Sequence, residues 1–338
     1  MVSPGSASLV LSAGRSTVGD LFHSVAAAYP GRIALKDEGI CLSYAELESR
    51  SNRLAGYLVN RGVQAGDRIA VLSRNRFEYF ELLLAAAKTG AILAALNWRL
   101  LDGELEHCVN LVSPRLIFVA AELDTTLGRL SGATPDRVVF GAEYAAAIAQ
   151  GANGFTARDI DPEAGLVILY TSGTTGLPKG ALISHRAMIA RGLLYHLILH
   201  VPDRDNFVAW TPCYHMVSTD HGLATLLRGG TVWCVDGYQP ERLVWRLENL
   251  RINWFVLGMV GTFSQELTKR GIKPRAVNVI GAMADLVPRE EIAEATRLFN
   301  APFLNTFGAT ETGMPPGTCG RIAIGEVPER RSKLQSPF

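Results

Sequence analysis

Leu166-Val167-Ile168-Leu169-Tyr170-Thr171-Ser172-Gly173-Thr174-Thr175-Gly176-Leu177-Pro178-Lys179-Gly180 decides how the chain is read. Four apolar residues, Leu166 to Leu169, form a buried strand. The next eleven residues, from Tyr170 to Gly180, are rich in glycine and hydroxyl groups. Gly173, Gly176 and Gly180 let the backbone come close to a ligand and turn N–H groups toward an anion. Thr171, Ser172, Thr174 and Thr175 add donors that rotate onto phosphate oxygens. Lys179 adds a positive charge, and Pro178 stiffens the turn before it. The order of residues excludes a Walker A loop, because Lys179 stands between Pro178 and Gly180. The loop is expected to lead into a helix from Ser184.

Working outward, the same alternation runs in both directions. Upstream come a helix from Val18 to Tyr29, a strand at Arg32–Leu35 and a helix opened by Ser43-Tyr44-Ala45-Glu46 and closed by Gly62. Ser43 and Glu46 form a capping box, each side chain satisfying the other's backbone N–H. Strands at Arg68–Leu72, Ala91–Ala95 and Leu116–Ala120 alternate with helices at Glu78–Lys88 (closed by Gly90) and Glu104–Leu111. Downstream, strands at Phe207–Trp210, Val232–Val235, Trp254–Leu257, Val277–Ile280 and Phe303–Asn305 are expected. Helices around Leu223–Leu227, Pro240–Leu250, Thr262–Arg270 and Arg289–Phe299 separate them. Short apolar runs between helices predict a mainly parallel, doubly wound α/β architecture. One sheet rarely holds so many strands, so two packed αβ halves are expected, about 17–200 and 201–313, after a frayed 1–16 segment.

Composition narrows the function classes. The chain has 338 residues, 48% hydrophobic and 19% charged, enough for a large core and against wholesale disorder. Thirty-three basic and 32 acidic residues leave a formal charge of +1, so no global field marks a nucleic-acid binder. Cys41, Cys108, Cys213, Cys234 and Cys319 lack metal-site spacing and fit a reducing cytoplasm as small core residues. No apolar run is long enough to span a membrane, and residues 1–14 lack a signal peptide's basic start. No G-x-S-x-G elbow supports a serine hydrolase.

The loop at Tyr170–Gly180 resembles the phosphate-binding signature of the adenylate-forming superfamily, which includes acyl-CoA synthetases, peptide-synthetase adenylation domains and beetle luciferases. Leu42–Leu47 and Gly66–Val71 resemble that family's early helix start and following strand. Phe307-Gly308-Ala309-Thr310-Glu311 resembles its aromatic-Gly-x-Thr-Glu motif, with Phe307 where Tyr is commoner. The resemblance covers about residues 17–338, of the acyl-CoA synthetase type. It implies activation of a hydrophobic carboxylic acid by ATP to an acyl-adenylate, then transfer to coenzyme A.

It also implies roles for particular residues. ATP is met by Thr171, Ser172, Gly173, Thr174, Thr175, Gly176 and Lys179, and on the adenine side by Gly281, Ala282, Met283, Phe307, Gly308 and Ala309. Thr310 bonds the α-phosphate, and Glu311 with Thr171 holds Mg²⁺, since a bare carboxylate would repel ATP. Pro212-Cys213-Tyr214-His215 resembles the segment lining the carboxylate pocket, which places His215 among the catalytic residues with Thr310 and Glu311. Tyr214, Met216, Val217, Met259 and Gly261 are the remaining pocket candidates. An amino-acid adenylation domain usually has an Asp after the aromatic residue here, and Tyr214-His215 has none. Asp220 and His221 are expected at a helix start on a solvated face, and His185 starts a helix without chemistry. The resemblance reads residues 314–338 as the truncated start of a β-barrel, with the family's mobile C-terminal domain and its lysine absent. On that reading acyl-CoA formation falls below about 1% of a full-length enzyme, as one lost preorganised charge costs about 10²–10³ in rate. A catalytically deficient nucleotide-binding fragment or pseudoenzyme is the alternative.

Overall fold

The computed structural model describes residues 14–130, 135–152, 155, 157–171, 176–200, 204–283, 287–314 and 320–329. The chain divides into two compact units, one of residues 1–33 and 42–190, the other of 34–41 and 191–338. Both are α/β units built on a parallel-rich sheet, the architecture expected from the sequence, and the described residues form no closed barrel.

In the first unit the sheet contains β3 (Arg68–Leu72), β4 (Ile92–Leu96), β5 (Leu116–Val119), β6 (Asp136–Val139), β7 (Gly165–Thr171) and β8 (Lys179–Ser184), ordered β6-β5-β3-β4-β7-β8. All pair in parallel except β8, which runs antiparallel to β7. Ile69 lies opposite both Leu93 and Leu116, so the central strands are apolar on both faces. The helices of this unit are α1 (Val18–Ala28), α2 (Tyr44–Asn60), α3 (Glu78–Thr89), α4 (Asp102–Val112), α5 (Asp124–Gly128) and α6 (Ala142–Gln150). The capping box opens α2 as expected: Glu46 N–H donates to Ser43 Oγ (3.2 Å), and Ser43 N–H donates to Glu46 Oε2 (2.7 Å). Buried Lys88 on α3 donates to Glu48 (2.6 Å), Ser51 (2.8 Å) and Asn52 (2.6 Å) of α2, so its charge is fully partnered.

The helix α7 (His185–Leu199) carries the division between the units, at Ala190/Arg191. His185 is its first residue, and its Nδ1 accepts from Val18 N–H (3.3 Å), a structural role. The second unit's sheet joins β1 (Ile33–Asp37) and β2 (Ile40–Ser43) to β9 (Asn206–Ala209), β10 (Thr231–Cys234), β11 (Arg251–Val256), β12 (Ala276–Ala282), β13 (Phe303–Asn305) and β14 (Arg321–Ile322). Their order is β14-β13-β12-β11-β9-β10-β1-β2. Neighbours from β1 through β10, β9, β11 and β12 to β13 pair in parallel, and β14 runs antiparallel to β13. Helices α8 (Met216–Leu226), α9 (Pro240–Asn249), α10 (Val260–Arg270) and α11 (Arg289–Phe299) complete it. Phe255 anchors the core, meeting Phe263 edge-on at 5.5 Å and Phe299 in a stack at 5.9 Å.

The structure departs from the sequence pattern in several places. The expected helix does not follow the loop directly: β8 (Lys179–Ser184) comes first, antiparallel to β7. The strands β2, β6, β8 and β14 and the helices α5 and α6 have no counterpart in the sequence pattern; all four strands are short or lie at a sheet edge, where alternation is weak. Cys41 is exposed rather than a core residue, whereas Cys108, Cys213 and Cys234 are buried. Cys319 lies outside the described residues. No helix among the described residues is long and apolar enough to cross a membrane.

Candidate active site

The first unit presents its loop at the carboxyl end of β7, the edge at which parallel sheets bind ligands. Ser172, Gly173, Thr174 and Thr175 lie outside the described residues. The two ends of the loop are described. Thr171 closes β7 and pairs with Lys179, which opens β8, so the hydroxyl and the ammonium stand at the mouth of one hairpin. Lys179 is exposed and makes no ion pair among the described residues. Gly176 sits at φ +133, a backbone region that disfavours any side chain.

Helix α4 braces both sides of this mouth. His107 Nε2–H donates to the Pro178 carbonyl (3.1 Å), which fixes the ring's tautomer. Tyr170 O–H donates to the Cys108 carbonyl (3.0 Å), and burial raises the phenol's pKa, keeping it a donor. Sequence reasoning missed His107. Its signal, one histidine on an amphipathic helix 71 positions away, has no local pattern to find.

In the second unit the remaining candidates gather at the carboxyl edge of one sheet. Tyr214, His215 and Met216 follow β9; Met259 and Gly261 follow β11; Gly281, Ala282 and Met283 end β12; Phe307–Glu311 follow β13. Gly281 must be glycine for packing: a Cβ there would lie 2.5 Å from the Leu304 carbonyl and collide with Trp254. Gly261 faces Glu291, whose Oε2 would stand 2.7 Å from an added Cβ. Three large apolar side chains stay open to solvent on this edge: Met283 (52% exposed), Phe307 (48%) and Met259 (43%). Glu311 is also exposed, and its carboxylate has no ion pair among the described residues.

His215 caps α8, its Nδ1 accepting from Val217 N–H (3.4 Å). Its ring is solvent-accessible yet crowded, and the partial desolvation lowers its pKa below the ordinary imidazole value. Asp220 and His221 are not on a solvated face. They sit in the middle of α8, Asp220 only 2% exposed. His221 is stacked on Tyr195 at 3.8 Å between centroids and packed near Phe207 and Trp254, and burial pushes its pKa down to about 3. Asp220 accepts from Arg191 and Tyr195, and burial raises its pKa to about 6. The helix expected around Leu223 begins seven residues earlier, at Met216, which turns this pair inward. A cavity of about 20 Å³ beside them holds about one water, too little for an acyl chain.

No cluster of three or more His, Cys, Asp or Glu side chains could hold a metal among the described residues. A lone carboxylate with a hydroxyl donor fits Mg²⁺ only where phosphate oxygens and water complete its shell. Glu311, in the second unit, is such a carboxylate, and Thr171, in the first unit, is such a hydroxyl.

The candidate residues stand at the carboxyl edges of two parallel-rich sheets, one in each unit. The family model for AMP-binding enzymes matches residues 22–335, and the chain belongs to that family. It is 36% identical over 325 residues to a fatty acid–[acyl-carrier-protein] ligase, ScoC, of Streptomyces coeruleorubidus, covering 90% of this chain and 62% of that protein. It is 35% identical over 269 residues to a medium/long-chain-fatty-acid–CoA/3-oxocholest-4-en-26-oate–CoA ligase of Mycolicibacterium smegmatis, covering 70% of this chain and 48% of the relative. The chain thus spans about half to three-fifths of these relatives' length. The crystal structure of the N-terminal domain of FACL13 from Mycobacterium tuberculosis superposes with a TM-score of 0.79 at 20% identity, covering 88% of this chain and 76% of that one, a likeness of fold.

Proposed function

We propose that the chain binds Mg-ATP and activates a hydrophobic carboxylic acid to its acyl-adenylate, for transfer to coenzyme A. The observation that carries this reading is the Thr171/Lys179 hairpin mouth, braced by His107 and Tyr170, in a member of the AMP-binding enzyme family. Lys179 and the loop hydroxyls would engage phosphate oxygens, placing the α-phosphorus for attack by the acid's carboxylate and release of pyrophosphate. Thr310 would bond the α-phosphate and Phe307 would stack on adenine. Glu311 and Thr171 are each candidates to hold Mg²⁺, which would supply charge neutralisation at the phosphates. The exposed Met259 and Met283 favour an acid with an apolar tail.

A second reading concerns the acceptor. The 36%-identical relative is a ligase for an acyl-carrier protein, which supports a protein-borne thiol as the alternative acceptor. One experiment separates the possibilities. The chain is incubated with Mg-ATP and, in turn, fatty, aromatic, sterol-side-chain and amino acids, and acyl-AMP is read by mass spectrometry. Added coenzyme A or a phosphopantetheinylated carrier protein then reports the acceptor. Acyl-AMP from an apolar acid supports the proposal. Acyl-AMP from amino acids alone supports an amino-acid adenylation domain. Mg-ATP binding without acyl-AMP from any acid marks a catalytically deficient nucleotide-binding chain.

A further inference from the structure

Arg191 is buried at 5% exposure in the second unit, yet the proposed chemistry makes no use of it. Its guanidinium is divided between two tasks. Nη1 donates to Asp220 Oδ2 at 3.1 Å. Nη2 donates one hydrogen to the Thr310 carbonyl (2.9 Å) and the other to the Glu311 carbonyl (3.1 Å). Tyr195 O–H donates to the same Asp220 oxygen at 3.2 Å, so the anchor is itself held.

The turn these bonds grip is tight. Ala309 carbonyl accepts from Thr312 N–H (3.1 Å) and Gly313 N–H (2.8 Å), and Ala309 N–H donates to the Gly313 carbonyl (3.3 Å). The next two carbonyls, of Thr310 and Glu311, are the ones Arg191 takes. Gly313 is at φ +69, and a Cβ there would lie 2.9 Å from Arg191 Nε, so the glycine lets the guanidinium pass beneath the turn. A buried ion pair is a poor source of stability beside an apolar pair of equal volume. This one lies directly under the two residues whose side chains the proposed chemistry needs.

We propose that Arg191 is a positioning residue: anchored on Asp220, it clamps the Thr310 and Glu311 backbone and thereby fixes where the Thr310 hydroxyl and Glu311 carboxylate point. The nucleotide consequence rests on the proposed function; the clamp itself does not. Lysine cannot replace it, because one ammonium cannot reach a carboxylate on one side and two carbonyls on the other in this fork geometry.

The test is Arg191→Lys, which keeps a charge for Asp220. Hydrogen exchange of the ligand-free protein reads the clamp: amides of Thr312 and Gly313 should exchange about tenfold faster, about 1.4 kcal/mol, with those of α11 unchanged. Calorimetric Mg-ATP binding reads its consequence: affinity should fall about tenfold in the native background and less than about twofold in Glu311→Gln, because both changes remove the same placement. Unchanged exchange at 312–313, or an undiminished loss in Glu311→Gln, overturns the proposal, since a merely structural arginine gives additive losses. Faster exchange in a protein whose native form binds no Mg-ATP upholds the clamp and overturns the function reading instead. Should Arg191→Lys not fold, Asp220→Asn, which keeps an acceptor for Nη1 while weakening the anchor, is expected to speed the same two amides.

Discussion

Removing the braces of the phosphate hairpin should weaken nucleotide binding without unfolding the protein. The perturbation is His107→Ala together with Tyr170→Phe. Each removes one neutral hydrogen bond, 3.1 Å to the Pro178 carbonyl and 3.0 Å to the Cys108 carbonyl. Such bonds are worth about 0.5–1.5 kcal/mol each. His107 is half-buried, and its carbonyl partner at the loop end can turn to water, so its loss falls in the lower half of that range. The hydroxyl of Tyr170 is crowded enough to have a raised pKa, which places its loss in the upper half. If the strain is felt wholly at the loop, the pair costs about 1.5–2.5 kcal/mol of Mg-ATP binding, roughly 13- to 70-fold in Kd. Each single variant should show its own share of that loss, and the double variant about their sum. Calorimetric titration of Mg-ATP into the three variants measures this, and a thermal melt without ligand controls for folding. An affinity equal to that of the native chain in the double variant, with a comparable melt, refutes the role given to α4.

Further expectations concern the scaffold. Buried His221 has a folded pKa of about 3 against about 6.5 unfolded, so the unfolded chain takes the proton first as pH falls. Buried His185, at about 4, acts in the same direction. The stability they contribute is complete above about pH 6.5 and lost progressively toward pH 3–4; His221→Phe, which suits its aromatic surroundings, should flatten that loss in melts between about pH 7 and 5. Ser43→Ala breaks the capping box and should cost about 1 kcal/mol, a melting point a few degrees lower, with Mg-ATP affinity unchanged. Gly281→Val places carbon against the Leu304 carbonyl and Trp254, and should lower the melting temperature far more than Ser43→Ala.

The parts legible in the sequence are those written in local pattern. Arg68–Leu72 and Arg289–Phe299 appear with the bounds their apolar spacing announces, and Ser43/Glu46 make both bonds of their motif. The phosphate-loop and Phe307–Glu311 motifs are visible because their residues are contiguous. Pattern does not show partnership across the chain. His107 reaches a carbonyl 71 residues away, and Arg191 reaches Glu311 across 120. Asp220 and His221 mislead because polar residues near a helix start usually meet water, whereas α8 starts earlier and turns them into a ring of aromatic neighbours. The edge strand β8 escapes because exposed Leu182 interrupts the expected inward apolar face.

The central claim, that the chain binds Mg-ATP and needs both Lys179 and Glu311 to do so, is tested most directly by a thermal melt of the 338-residue chain with and without Mg-ATP. A ligand at about 100 times its Kd adds about 2.7 kcal/mol, a few degrees for a chain of this size. That rise is predicted for the native chain, and its loss in Lys179→Ala and in Glu311→Gln, both melting as the native protein does without ligand. A cooperative melt that Mg-ATP leaves unmoved, or an equal rise in both variants, would contradict it.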